Sequence, residues 1–265
     1  MNKNSNMSFL EHLEVLRWHL IRAFAAVLIV AIVAFIFNDI VFDHIILAPK
    51  KANFITNCLL CKLGELLNIP KLCINSKVLQ LISIKMAGQF TMHIITSLFG
   101  GLILAFPYIF WEFWRFVKPA LYEKEVRKTR GAVWVSSILF FLGVLFGYFI
   151  IAPLSVHFLG SYNVSDEVVN QINLKSYVGT ITSVVLSSAV VFELPVLVFF
   201  LSKAGIITPN FLRKYRKHAV VLIFILAAVI TPPDVFSLIL VTLPLLILYE
   251  IGIKISKRVE RKKKS

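Results

Sequence analysis

Residues 132–152 read AVWVSSILFFLGVLFGYFIIA, twenty-one positions without one Asp, Glu, Lys or Arg. As a helix rising 1.5 Å per residue, such a run reaches about 31 Å, the thickness of a bilayer's hydrocarbon core. Five further runs of similar character flank it: 19–37, 86–111, 177–201, 219–231 and 235–253. The chain is 58% hydrophobic and 16% charged, whereas soluble domains sit near 45–50% apolar and about 25% charged. The reading is an all-α polytopic membrane protein, a single membrane domain with six transmembrane helices.

The formal net charge is +14. A basic balance can mark a nucleic-acid binder, but here the cations lie between the apolar runs, where topology accounts for them and no nucleic-acid partner is needed. Taking alternate segments, 21 Lys and Arg fall on one side and 7 on the other. By the positive-inside bias both termini are cytoplasmic, including the basic tail 254–265. The first twenty residues contain Glu11 and Glu14 and lack a short apolar core with a small-residue cleavage site. The first run is therefore expected to remain as an uncleaved span. Runs five and six are separated only by Pro232, Pro233 and Asp234. Neither proline continues a helix and Thr231 is driven to extended backbone, so a tight hairpin is expected. Run five, at 13 residues, is short of the hydrocarbon thickness.

The long non-cytoplasmic loop, 38–85, holds all three cysteines, Cys58, Cys61 and Cys73. A CxxC pair can be a redox or metal motif, but no His or fourth Cys lies near enough to complete a zinc set. One structural disulfide in an oxidising compartment, with one Cys left over, is the expectation. KLGELLN (62–68) reads as a short amphipathic helix on the membrane surface.

Phosphate-binding loops, HExxH and GxSxG are absent, and the six His are scattered. No enzyme and no cofactor is implied. The polar residues in unusual places carry more information. Ser8 and Glu11 form a capping box ahead of Leu10, Leu13, Leu16 and Leu20 at helical spacing, a helix that feeds into span one and carries Glu14 and Arg17. The loop FWEFWRFVKPALYEKEVRKTR (110–130) mixes interfacial aromatics with cations and contains Glu125. Glu193 stands inside run four, where an insertion scale sets the cost of a mid-depth carboxylate at about 2.5–3.5 kcal/mol. Pro195 loosens the backbone beside it. Asp234 is placed to cap span six, and Glu250 to sit near the cytoplasmic interface beside Lys254.

HLEVLRWHLI, FPYIFWEFWRFVKPALYEKE, VFELPV and ITPPDVFS stand in this order at matching places among the six runs. Through them the chain resembles the TatC family, the six-span subunit of the twin-arginine protein translocase, from about Ser8 to Lys257. The resemblance implies a curved, glove-like bundle in the bacterial cytoplasmic membrane. It implies a receptor for twin-arginine signal peptides that works with TatA and TatB type single-span partners in a homo-oligomeric assembly. Folded proteins would cross on the proton-motive force. Carried over by position, Glu125 matches the carboxylate that faces the arginine pair, and Phe116, Pro119 and Leu121 match positions around it. Glu14 and Arg17 lie in the matching N-terminal segment. Glu193 matches a polar residue of span four on the concave side and is expected to contact a partner's transmembrane helix, and Pro49 and Asp234 match far-side positions. The family often has Glu where Val15 stands here, and Gln where Leu238 stands. The competing reading is a secondary transporter or ion carrier with Glu193 as its site, which predicts an internal repeat; none is visible.

Overall fold

The computed structural model describes residues 9–51, 53–66, 80–117, 131–165, 167, 170–231 and 235–264. It is predominantly helical, as lipid requires, because a helix satisfies its own backbone N–H and C=O groups. Among the described residues, five helical segments are long and apolar enough to cross a membrane: Leu13–Ile36, Gly88–Val117, Gly131–Ser161, Leu174–Lys203 and Leu238–Arg261. Run five forms a helix of 15 residues, Arg216–Ile230, about 22 Å long. The chain divides into two compact units, Met1–Phe42 with His93–Ile138, and Asp43–Met92 with Leu139–Ser265.

The first unit is built on α1 (Phe9–Ile36) and α3 (Gly88–Val117). His93 stacks on Phe35 at 3.8 Å, Gly101 lies against Ala31, and Glu112 meets His19. As one helix number rises the other falls, so the pair is antiparallel. A Cβ added at Gly101 would come within 2.8 Å of both the Ala31 Cβ and the Val27 carbonyl oxygen. Such close approach through small residues is how helices associate when lipid removes the hydrophobic drive between them.

The second unit contains α2 (Ile55–Leu66), α4 (Gly131–Phe146, whose last residues enter it), and a widened π-helical turn, Gly147–Ile151. It continues through α5 (Ala152–Ser161), α6 (Leu174–Phe192), α7 (Leu194–Lys203), α8 (Pro209–Lys214), α9 (Arg216–Ile230) and α10 (Val235–Lys264). Its core joins Ile151, Val184, Ile223, Ala227, Val241 and Leu245, with Leu238 packed against them. Leu238 therefore serves as an apolar packing residue. Asn173 caps α6 and Thr208 caps α8, each through a side-chain oxygen that accepts a first-turn N–H. Thr231 leaves α9 in extended backbone, as the following proline demands. The helix of the first loop begins at Ile55, seven residues ahead of the expected start at Lys62. Ser8, and the Pro232–Asp234 turn with its expected cap of span six, lie outside the described residues.

A second widened turn, Ile40–Ile46, leaves carbonyls without helical partners at its end. Tyr148 Oη donates to the Ile45 carbonyl at 2.7 Å and Tyr177 Oη to the Ile46 carbonyl at 3.0 Å. Thr56 Oγ1 donates to the Phe149 carbonyl. Phe54 lies edge-on to Tyr148 and stacks on Phe149. The first loop is thus fastened within the second unit by hydroxyls and rings, and a two-residue parallel ladder pairs Leu81 with Ile172 and Ile82 with Asn173.

Gly143→Val should lower thermal stability by about 1–3 kcal/mol, because its added Cβ meets the Ala189 Cα at 2.7 Å and α6 backbone cannot yield. Gly179→Ala meets nothing within 4 Å and should keep or raise stability, by up to about 1 kcal/mol from helix propensity. Melting of the two variants in one detergent checks the contrast. Tyr177→Phe should cost about 1 kcal/mol in the same assay, the value of one hydrogen bond.

Candidate functional site

The paired helices α1 and α3 bring one charged cluster together, at the N-terminal part of α1 and the C-terminal end of α3. Its centre is Glu112, whose side chain is 1% exposed. On α1, His19 and Arg22 are three residues apart and share a face, as helical spacing dictates. On α3, Tyr108 and Arg115 lie one turn before and one turn after Glu112.

A buried carboxylate must be satisfied by donors, and each oxygen of Glu112 has one. His19 Nδ1 is hydrogen-bonded to Oε2. Tyr108 Oη donates to Oε1 at 3.1 Å. The carboxylate only accepts, so His19 carries its proton on Nδ1 in this bond. Arg22 Nη2 also approaches that nitrogen, at 3.2 Å, but an already donating Nδ1 cannot accept from it. Arg22 Nε lies 3.4 Å from Oε2 and Arg115 Nη1 3.6 Å from Oε1. Their side chains are 44% and 49% exposed, so each supplies under about 1 kcal/mol. Hydrogen bonds to a charged group contribute about 1.5–3 kcal/mol each. His19 and Tyr108 therefore carry most of the offset to burial. Arg115 also lies over the Trp111 ring at 4.8 Å, and Phe116 stands edge-on to His19 at 6.1 Å.

Two guanidiniums against one carboxylate leave the cluster net positive. It holds two helices together and is already filled, so it does not itself offer a place to a cation. Glu14 and Arg17 project from the same end of the pair, both exposed. Val15, one helical step of 100° away from Glu14, is half-buried. Phe116 joins this end of the unit through His19. Pro119, Leu121 and Glu125 lie outside the described residues.

The remaining predicted residues belong to the second unit. Glu193 is half-buried at a one-residue break between α6 and α7. Its N–H bonds to the Val190 carbonyl, and its own carbonyl accepts from Val196 and Leu197. Pro195 has no N–H to continue the α6 ladder, which places the break here. Pro49 is buried in the fastened first loop, where Asn57 Nδ2 donates to the Lys51 carbonyl at 3.0 Å and reaches the Pro49 carbonyl at 3.4 Å. Asp234 and Cys73 lie outside the described residues. Cys61 is disulfide-bonded. Glu250 pairs with Arg216 at 2.7 Å. Among the described residues, no three His, Cys, Asp or Glu side chains group to hold a metal ion.

Residues 11–244 match the family described as Sec-independent protein translocase protein (TatC). The chain belongs to the TatC family. It is 41% identical to the TatC protein of Blattabacterium sp. subsp. Periplaneta americana over 264 residues, 99% of both chains. It is 35% identical to that of Aquifex aeolicus over 259 residues, 97% of this chain and 98% of the relative. Among solved structures it is similar to a crystal structure of the twin-arginine translocase receptor TatC, with a TM-score of 0.66 and 33% identity. That match covers 94% of this chain and all of the other. A second TatC structure, in the detergent DDM, gives a TM-score of 0.69 at 34% identity over 92% of this chain.

Sequence reasoning for this TatC chain missed Glu112, which stood among Trp and Phe residues that read as an interfacial belt. The signal was there. Glu112 is followed by Arg115 at i+3, and His19 and Arg22 repeat that spacing in span one. Glu112→Ala should destabilise the α1–α3 pair by about 1–3 kcal/mol, as for removal of a buried hydrogen-bonded acceptor. Glu112→Gln should cost less, because its amide oxygen still accepts from Tyr108 and its NH2 can donate to the other His19 tautomer. Thermal melts of both variants in detergent check the order.

Proposed function

We propose that this chain is the receptor and core component of a twin-arginine translocase. It binds twin-arginine signal peptides and, with TatA and TatB type single-span partners, moves folded proteins across the bacterial cytoplasmic membrane on the proton-motive force. The observation that carries the reading is the family match over residues 11–244, with likeness to the receptor structure along 94% of the chain.

The chain is read as one membrane domain of six spans in a glove-like bundle. The short helix α9 is the fifth span in chain order and brings the five long segments to six; its 15 residues ask the bilayer to thin or the basic α8–α9 segment to reach into the interface. Two independent features support cytoplasmic termini. One is the division of Lys and Arg, 21 against 7. The other is the disulfide at Cys61 in the loop placed outside, because such bonds persist in oxidising compartments.

The receptor surface lies at the α1–α3 end of the first unit. Glu125 is the carboxylate for the peptide's guanidiniums, which donate bidentate hydrogen bonds to it from their planar forks. Phe116, Pro119 and Leu121 frame it, and Glu14 and Arg17 contribute from α1. Glu112 does not touch the peptide; it fixes α1 to α3 so that this surface has one shape. Glu193, Pro49 and Asp234 serve partner-helix and transport contacts.

Photocrosslinking from position 121 to a signal peptide in membrane vesicles tests the reading. The Arg-Arg peptide should crosslink, and the Lys-Lys peptide about tenfold less, the loss expected when a bidentate pair becomes a single contact. Glu125→Ala should reduce the Arg-Arg crosslink in the same way. Equal crosslinking of both peptides, or of neither in vesicles with folded protein, overturns it. Glu193→Ala should lower transport of a folded substrate and leave the crosslink nearly intact; loss of both together would make Glu193 a structural residue.

A further inference from the structure

We propose that the basic face formed by the last turns of α10 and the neighbouring α8–α9 segment binds the headgroups of anionic phospholipids. Three features of the second unit carry this, and none depends on the signal-peptide reading.

The first is depth. α10 begins at Val235, and Lys254 follows nineteen residues later, about 29 Å along the axis and so at the edge of a hydrocarbon core of about 30 Å. The helix does not stop there; it continues to Lys264. The headgroup layer adds about 5–8 Å on each side. Lys254, Lys257, Arg258 and Arg261 fall within or just beyond that layer.

The second is direction. These four residues are exposed and repeat at i, i+3, i+4 and i+7, one stripe of the helix. The opposite face is fixed to protein. Ser256 is 1% exposed and hydrogen-bonded to Ser202 at 2.8 Å, and Ile253 is buried in a cluster with Val198 and Leu212. Gly252 lies against Val198. The stripe is thus held outward on a helix that cannot roll.

The third is charge. Residues 203–218 contain five cations and no acid, and Arg213, Lys214 and Lys217 are exposed. Tyr249 Oη donates to the Leu212 carbonyl at 2.7 Å, tying α8 to α10. Glu250, the carboxylate on the stripe, is taken by Arg216 at 2.7 Å. Phe211 and Tyr215, exposed and 4.6 Å apart, add the amphipathic rings that favour the interface. An array of cations at headgroup depth, beside interfacial aromatics, is complementary to phosphodiester anions in the plane of the bilayer.

The test uses the full chain in membranes of equal phosphatidylglycerol and phosphatidylcholine. The protein is extracted in mild detergent, and its retained lipids are counted by mass spectrometry. Phosphatidylglycerol should exceed phosphatidylcholine by about threefold or more, given about fivefold preference per basic side chain at an anionic surface. Lys254→Gln, Lys257→Gln, Arg258→Gln and Arg261→Gln together should bring the ratio close to one. So should 1 M salt, which shortens the screening length to about 3 Å. A second variant, Arg213→Gln with Lys214→Gln and Lys217→Gln, should lower the ratio partway and carries the test if the first does not fold. A parent ratio of one overturns the proposal. That is the result expected if the face serves an acidic protein segment instead. A ratio unchanged in the folded variants also overturns it.

Discussion

One carboxylate sets the terms for the first unit. Glu112 is excluded from water inside a span and must be matched where it stands. The match comes from two helices: Tyr108 from its own turn, and His19 with Arg22 from α1. A charge that needs donors on another helix fixes that helix in both register and rotation. Small residues then let the backbones close up, with Gly101 against Ala31 and His93 stacked on Phe35 at the far end. The polar contact specifies the pairing and the small residues permit it. Without Glu112 the same two apolar helices would have several near-equal ways to slide, since lipid and leucine are alike in polarity.

The second unit solves a different problem. One of its spans carries the π-helical turn Gly147–Ile151, another the Glu193–Pro195 break, and the first loop a second π-helical turn; lipid cannot satisfy a carbonyl freed by such interruptions. Tyrosine and threonine hydroxyls take up those of the first loop and the π-turn. This anchors the segment around Pro49, and it explains a loop that looks long and irregular in sequence yet has an ordered, buried part.

The membrane class, the long apolar runs and the extended exit at Thr231 were all legible in the sequence, because length, hydropathy and proline geometry act locally. Helix ends were less so. Span two runs to Val117 where the apolar run ends at Trp111, because a helix continues for as long as its backbone bonds do, past the last apolar residue. The break at Glu193 was only half-legible: Pro195 announced it, but the three carbonyl–amide bonds around it depend on the local geometry. Glu112 was harder to read still: the i, i+3 spacings were in the sequence, but the burial was not. Whether a Glu among aromatics is solvated or buried depends on what another helix, some ninety residues away, presents to it. The positions that carried the family resemblance, Glu125 above all, came from matching motifs, and physical patterning alone would not have singled them out.

On the proposed reading, Glu112 shapes the recognition surface without touching the peptide, while Glu125 touches it. Equilibrium binding of a fluorescent Arg-Arg peptide and its Lys-Lys counterpart to the protein in nanodiscs separates the two roles. Glu112→Ala should weaken both peptides, by about tenfold for a loss near 1.4 kcal/mol, and keep the ratio between them. Glu125→Gln should collapse the ratio. A Glu112→Ala protein that binds both peptides like the parent, or that changes their ratio, would contradict the account.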